Sequence, residues 1–162
     1  MDLRCWIFQD LPSMHAIITN LSNPYRYYVP DTTVALDFYE YRAMGAIPRQ
    51  DVLMCVVEAL SKIFGHNFNE PVPRLSTFYY KRQSFIHIQD YNPTPGRAHT
   101  YGDMAATLRG IGEWMTEENY FRALEFQIWS MTTAGTIKIG SGGVGGPMAA
   151  ELNETGIELN VS

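Results

Sequence analysis

Leu124-Glu-Phe-Gln-Ile-Trp129 alternates its side chains one for one, inside a longer β-branched and aromatic run from Tyr120 to Thr132. Leu124, Phe126 and Ile128 fall on one side and Glu125, Gln127 and Trp129 on the other, which is the period of a strand with one buried face. Such a strand needs paired neighbours and an apolar cover, and the flanking sequence supplies both. Upstream, Thr100-Tyr-Gly-Asp103 is a helix start, with Thr100 as the cap and Asp103 at the positive end of the dipole. Met104, Ala105, Leu108, Ile111, Gly112 and Met115 then follow at helical spacing. Downstream, Ala134-Gly135 turns the chain back into Thr136-Ile-Lys-Ile-Gly140.

The same unit occurs once more towards the N-terminus. Thr33 to Arg42 reads as a strand, with Leu36 and Phe38 on one face and Asp37, Tyr39 and Tyr41 on the other. Pro48 opens a helix whose stripe is Leu53, Val56, Val57, Leu60, Ile63 and Phe64, ending at Gly65. Ser76 to Lys81 and Phe85 to Tyr91, separated by Arg82-Gln-Ser84, read as a hairpin, and Asn92-Pro-Thr-Pro-Gly-Arg97 is a turn cluster. The order is strand, helix, strand, strand, helix, strand. It predicts an α+β domain: an antiparallel sheet of four to six strands with two helices on one face, the split βαβ or ferredoxin-like order βαββαβ, plus a C-terminal hairpin strand. Residues 1–140 form one domain in this reading. Its first 33 residues are an irregular entry in which Ser13 caps a short apolar turn through Ile17 and Ile18, and Asn23-Pro24 and Pro30-Asp31 are breaks. Gly140-Ser-Gly-Gly-Val-Gly-Gly is rich enough in glycine that residues 141–162 read as a flexible tail or docking arm.

Composition narrows the function classes. The chain has 162 residues, 46% of them apolar and 13% aromatic, enough to bury a core. Its net charge of −5 argues against nucleic acid, which is held by clustered Lys and Arg. Lys81-Arg-Gln-Ser-Phe-Ile-His-Ile88 stands where an RNA-recognition module carries its stacking aromatics, but lacks the glycine and the later aromatic. No apolar run is long enough for a membrane span. The expected partner is a small molecule, not nucleic acid or membrane, and the expected compartment is cytoplasmic because no secretory signal is seen at Met1. The sequons at Asn20, Asn153 and Asn160 would matter only behind a trimmed leader, in which case the chain would be secreted.

If Leu36, Phe38, Ile86, Ile88, Leu124, Phe126 and Ile128 face the helices, alternation sends a different set to the open face. That set is Tyr39, Tyr41, Phe85, His87, Gln89, Tyr91, Glu125, Gln127 and Trp129. It combines aromatic bodies with hydrogen-bonding tips, the composition of a pocket for a bulky, partly apolar ligand, and equally of a solvated or dimerising sheet face. His87 titrates near neutral pH and is the natural general acid or base. Glu125 is its candidate partner from a neighbouring strand, and Tyr91 joins them as a catalytic candidate. Tyr39, Tyr41, Phe85, Gln89, Gln127 and Trp129 are the candidate substrate-binding residues.

Other constellations carry less. Asp90 lies on the helix side by alternation and is placed to cap the following turn. His15, His66 and His99 sit in different loops without ligand spacing, so no metal or other cofactor is expected. The glycine run lacks the Lys of a phosphate-binding loop, and G-x-S-x-G is absent. Cys5 and Cys55 have no partner spacing and read as free thiols.

Ile47-Pro48 with Val52, Phe85-Ile-His-Ile88, Thr100-Tyr-Gly-Asp-Met104 and Leu108-Arg-Gly-Ile-Gly112 are loose motifs over roughly residues 47–140. In them the chain resembles small fungal proteins, some secreted and others encoded with the enzymes that build polyketide and polyketide-peptide hybrid metabolites. The resemblance implies a cofactor-independent cyclase or cyclisation accessory protein, in complex with another biosynthetic protein or, since the split βαβ shape pairs readily into dimers whose sheets face each other, as a homodimer that encloses the aromatic face. It supplies no site residues. The reading from a different class is a non-catalytic interaction module, or a secreted binding protein.

Overall fold

The computed structural model describes residues 24–40, 45–90 and 97–146. They form strands β1 (Tyr25–Tyr28) and β2 (Val34–Glu40), helix α1 (Arg49–Ile63), strands β3 (Leu75–Tyr80) and β4 (Ser84–Asp90), helix α2 (Tyr101–Glu117), and strands β5 (Leu124–Thr132) and β6 (Gly135–Gly145). All six strands lie in one sheet in the order β1-β2-β5-β6-β4-β3, and every adjacent pair is antiparallel. The fold is α+β with two helices, as the strand and helix periods predict. β4-α2-β5 is a split βαβ unit whose gap is filled by β6, and β2 and β3, joined through α1, lie further apart with β5, β6 and β4 between them.

Helix α1 begins directly after Pro48, whose fixed φ of −55° suits the entry to a helix, with Asp51 in the first turn and Lys62 in the last. Helix α2 starts on the capping box that Thr100 and Asp103 encode. The Thr100 hydroxyl accepts from the Asp103 amide at 3.3 Å, and the Asp103 carboxylate accepts from the Thr100 amide at 3.1 Å. α1 packs over β3 and β4, and α2 over β1 and β2. Leu36, Phe38, Ile86, Ile88, Leu124, Phe126 and Ile128 all face this cover, none of them more than 1% exposed. Trp114 of α2 stacks on Phe38 at 4.1 Å between ring centroids, a contact worth about 1 kcal/mol beyond the burial of the rings. Cys55 is a buried free thiol that donates to the carbonyl of Phe78. Cys5 lies outside the described residues.

Two expectations are corrected. Residues 25–28, assigned to an irregular entry, form edge strand β1, paired residue by residue with Ala35 to Phe38. Four residues, three of them tyrosine, carry no apolar alternation; the strand owes its form to the ladder of β2. The turn that returns the chain is built as Pro30-Asp31 suggests, with Asp31 at φ 56° and Thr32 bonding both the Val29 carbonyl and the Val34 amide. Ser13, Ile17 and Ile18 lie outside the described residues.

The second correction concerns the glycine run. Residues 141–145 are not a tail but the continuation of β6, in the middle of the sheet with β5 on one side and β4 on the other. Each glycine in a strand costs about 0.5–1 kcal/mol in backbone entropy, and two ladders offset that cost here. Glycine is also required by space. A Cβ on Gly142 would stand 2.2 Å from the His87 carbonyl oxygen and 2.5 Å from Phe126 Cζ. A bulge at Ile139, between the pairs Ile128–Gly140 and Trp129–Lys138, restores the facing pattern along the strand. The remainder of the expected tail, 147–162, lies outside the described residues.

Candidate functional site

The helices leave one face of the sheet open, and strand register fixes which side chains meet there. Tyr39 stands opposite Glu125, Glu125 opposite Gly143, Gly143 opposite His87, and His87 opposite Thr77, so these five form a single row across five strands. The expected His87 and Glu125 pair is thus present in a different form. Their strands are not neighbours: β6 runs between them, and what it places there is a glycine. A Cβ on Gly143 would lie 2.7 Å from His87 Cε1 and 3.4 Å from Nδ1, so the imidazole lies across the strand towards Glu125. Phe85 does the same one pair along, with its ring atoms 2.3 Å from where a Cβ of Gly145 would be. Its ring centroid is 6.0 Å from that of His87 and 6.2 Å from that of Tyr79.

Electrostatics favour a neutral His87, with a free lone pair on one ring nitrogen. Burial pushes the imidazole below its ordinary pKa of 6.5, and the negative charge of Glu125 opposes that shift without cancelling it. Burial raises the Tyr39 phenol, and the Asp37 carboxylate raises it further, so Tyr39 stays a hydrogen-bond donor.

The adjacent row is Arg26, Asp37, Gln127, Ser141 and Gln89. Asp37 points to the open face as alternation requires, yet is only 3% exposed, because the Arg26 guanidinium closes over it with contacts of 2.6 and 2.7 Å. The paired fork holds Arg26 firmly protonated, and the guanidinium carbon lies 5.5 Å from the centre of the Trp129 ring. The Trp129 indole N–H is shielded from water and has no acceptor among the described residues.

Of the nine open-face residues expected from the sequence, seven lie on that face: Tyr39, Phe85, His87, Gln89, Glu125, Gln127 and Trp129. Tyr41 and Tyr91 fall outside the described residues, so the catalytic assignment of Tyr91 is not placed. Sequence reading missed Arg26, because β1 was not read as a strand, and it missed the role of Gly143 and Gly145. Alternate glycines opposite alternate aromatic residues were the available signal.

A second group of polar residues lies on the helix side. His99 is 1% exposed with neither ring nitrogen partnered among the described residues, and burial pushes its pKa down to about 4. Beside it Arg97 bonds Asp103 at 2.9 Å and Ser130 at 3.1 Å. The turn that Asp90 was expected to cap lies outside the described residues. The Asp90 Oδ1 is buried with no partner among the described residues, and burial raises the carboxyl pKa. His66 is exposed and stacks on Tyr101 at 4.1 Å, and His15 lies outside the described residues. Among the described residues no three His, Cys, Asp or Glu converge as a metal site, and no helix is long and apolar enough to cross a membrane.

No family model, no curated protein and no solved structure matches this chain.

Proposed function

We propose that this chain is a cofactor-independent, non-redox cyclase or cyclisation accessory protein that binds a bulky, partly apolar polyketide-type substrate on the open sheet face. The observation that carries the reading is the approach of His87 towards Glu125 over Gly143, between Phe85 and Tyr39. A neutral imidazole takes a proton from the carbon next to a substrate carbonyl, and Glu125 faces the imidazolium that forms. The protonated Tyr39 phenol donates to the oxygen on which charge develops. Holding a flexible chain near its attack geometry supplies the rest, and such positioning is worth several kcal/mol.

A second reading rests on Tyr28, Leu75 and Tyr79, which are 57%, 61% and 53% exposed on the outer strands. An interaction module would use this rim to meet a second copy or another protein. Native mass spectrometry of the protein purified from a fungal host separates the two. A retained small molecule, lost in His87→Ala and Trp129→Ala variants that keep the circular dichroism of the wild type, supports the first. An empty protein that copurifies with a macromolecular partner, and keeps it in both variants, overturns it.

A further inference from the structure

The row beside that of His87 runs Gln89, Ser141, Gln127 and Asp37 across four neighbouring strands, with Arg26 at its end. Its two halves differ. Asp37 and Arg26 are taken up by each other, and the Tyr28 phenol also bonds the guanidinium. Gln89, Ser141 and Gln127 carry no charge, and none of their side chains makes a hydrogen bond among the described residues. Gln89 is exposed and the other two are half-buried. Glu125 in the row on one side and Lys138 in the row on the other are of opposite sign, so the strip between them suits a neutral polar group.

Strand geometry narrows what that group is. β4 and β5 flank β6, so the two glutamines stand about 10 Å apart, rising roughly perpendicular to the sheet on either side of the shorter Ser141. A peptide group inside a sheet sits one spacing of about 5 Å from the strand on each side, its C=O bonded one way and its N–H the other. A trans secondary amide lying above β6 meets the same spacing: one carboxamide donates to its oxygen and the other accepts from its N–H. The chain that carries the amide then runs along the strands. One step of about 7 Å takes it to the row of His87 in one direction and to the row of Trp129 in the other.

We infer that the open face recognises its ligand through a secondary amide held between Gln89 and Gln127 over Ser141, with one apolar arm beside the Trp129 ring and the other reaching His87. This rests on the small-molecule reading above and narrows it to amide-linked ligands. Gln89 and Gln127 determine specificity and take no part in the chemistry. An ester of the same shape keeps the acceptor oxygen but loses the N–H, which leaves one carboxamide facing an oxygen with no proton to share.

The test uses N-benzyl-3-phenylpropanamide and its ester counterpart, benzyl 3-phenylpropanoate. Each is titrated into the wild-type protein and into the double variant Gln89→Met, Gln127→Met, which keeps side-chain length and removes both carboxamides. NMR follows the Trp129 indole N–H and the His87 ring protons in both proteins, and the glutamine side-chain amides in the wild type. The amide is expected to bind about ten-fold more tightly than the ester and to move the side-chain amide signals of Gln89 and Gln127. In the double variant the difference is expected to shrink to within about two-fold. Equal binding of the two compounds to the wild type, with the Trp129 and His87 signals moving, overturns the amide assignment and leaves the small-molecule reading standing. Retention of the full preference in the double variant, with unchanged circular dichroism, also overturns the assignment. If neither compound moves any of these signals, both readings fall.

Discussion

The imidazole of His87 occupies the space above Gly143, 2.7 Å from the position a side chain would begin there. The histidine and the glycine are adjacent across β4 and β6, and the absence of one side chain sets the direction of the other. Gly143→Ala is expected to push the imidazole off the strand and away from Glu125. Overpacking of this kind costs about 1–3 kcal/mol. Thermal unfolding reads that cost, and loss of the Glu125-dependent part of the His87 titration reads the displacement.

His87 titrates below its ordinary value because burial outweighs the charge of Glu125. Activity that uses the neutral imidazole rises with pH through a midpoint under 6.5 and is level at neutral pH. Glu125→Gln removes the opposing charge, so the midpoint moves further down. An NMR titration of the His87 ring in both proteins checks the sign, and a midpoint that rises in Glu125→Gln contradicts the pairing.

His99 makes the fold sensitive to acid. Its pKa is about 4 in the folded chain against an ordinary 6.5, so its contribution is fully present above pH 6.5 and is lost as pH falls towards 4. The loss amounts to roughly 3 kcal/mol. His99→Phe replaces two nitrogens that have no partner among the described residues by an apolar ring. That variant is expected to be as stable as the wild type at pH 7 and more stable at pH 5, measured by urea unfolding at both values.

The β3–β4 turn is strained by its residues. Lys81 and Arg82 have φ of 47° and 58°, left-handed values that cost a side-chain-bearing residue about 1 kcal/mol each. Asn-Gly at these two positions suits the same turn and is expected to raise stability by about 1 kcal/mol, read as an increase in the midpoint of urea unfolding.

At the start of α2 the Thr100 side chain satisfies the Asp103 amide. Thr100→Ala is expected to cost about 1 kcal/mol, and Thr100→Ser to restore most of it. Chemical denaturation of the three proteins measures the series.

Regular periods carried most of the fold. β2, α1, β4, α2 and β5 were legible because each buries a face whose spacing is written in the residues, and the helix-facing strand residues were placed correctly for that reason. β1 and the second half of β6 were not. β1 is held by its partner and not by its own pattern, and the glycines of β6 lack the side chains on which periodicity is read. The site followed the same division. Alternation put His87, Glu125, Phe85 and Trp129 on one face, but their distances depend on which strand lies between them, and strand order is a property of the whole sheet. Arg26 was hidden with β1. His99 looked like a loop residue because burial of a short connection leaves no local signature.

The strand that joins the two halves of the sheet is also the last one described along the chain. β1, β2 and β5 have no hydrogen-bonded link to β4 and β3 until residues 135–145 lie between them. During synthesis, before residues 135–145 emerge, β1-β2-β5 and β4-β3 have no ladder between them, and each set has an edge that this glycine-rich segment later pairs. Closure comes only when that segment clears the exit tunnel. A nascent chain halted before that point exposes both edges, so chaperone engagement on stalled chains is expected to fall sharply once β6 has emerged.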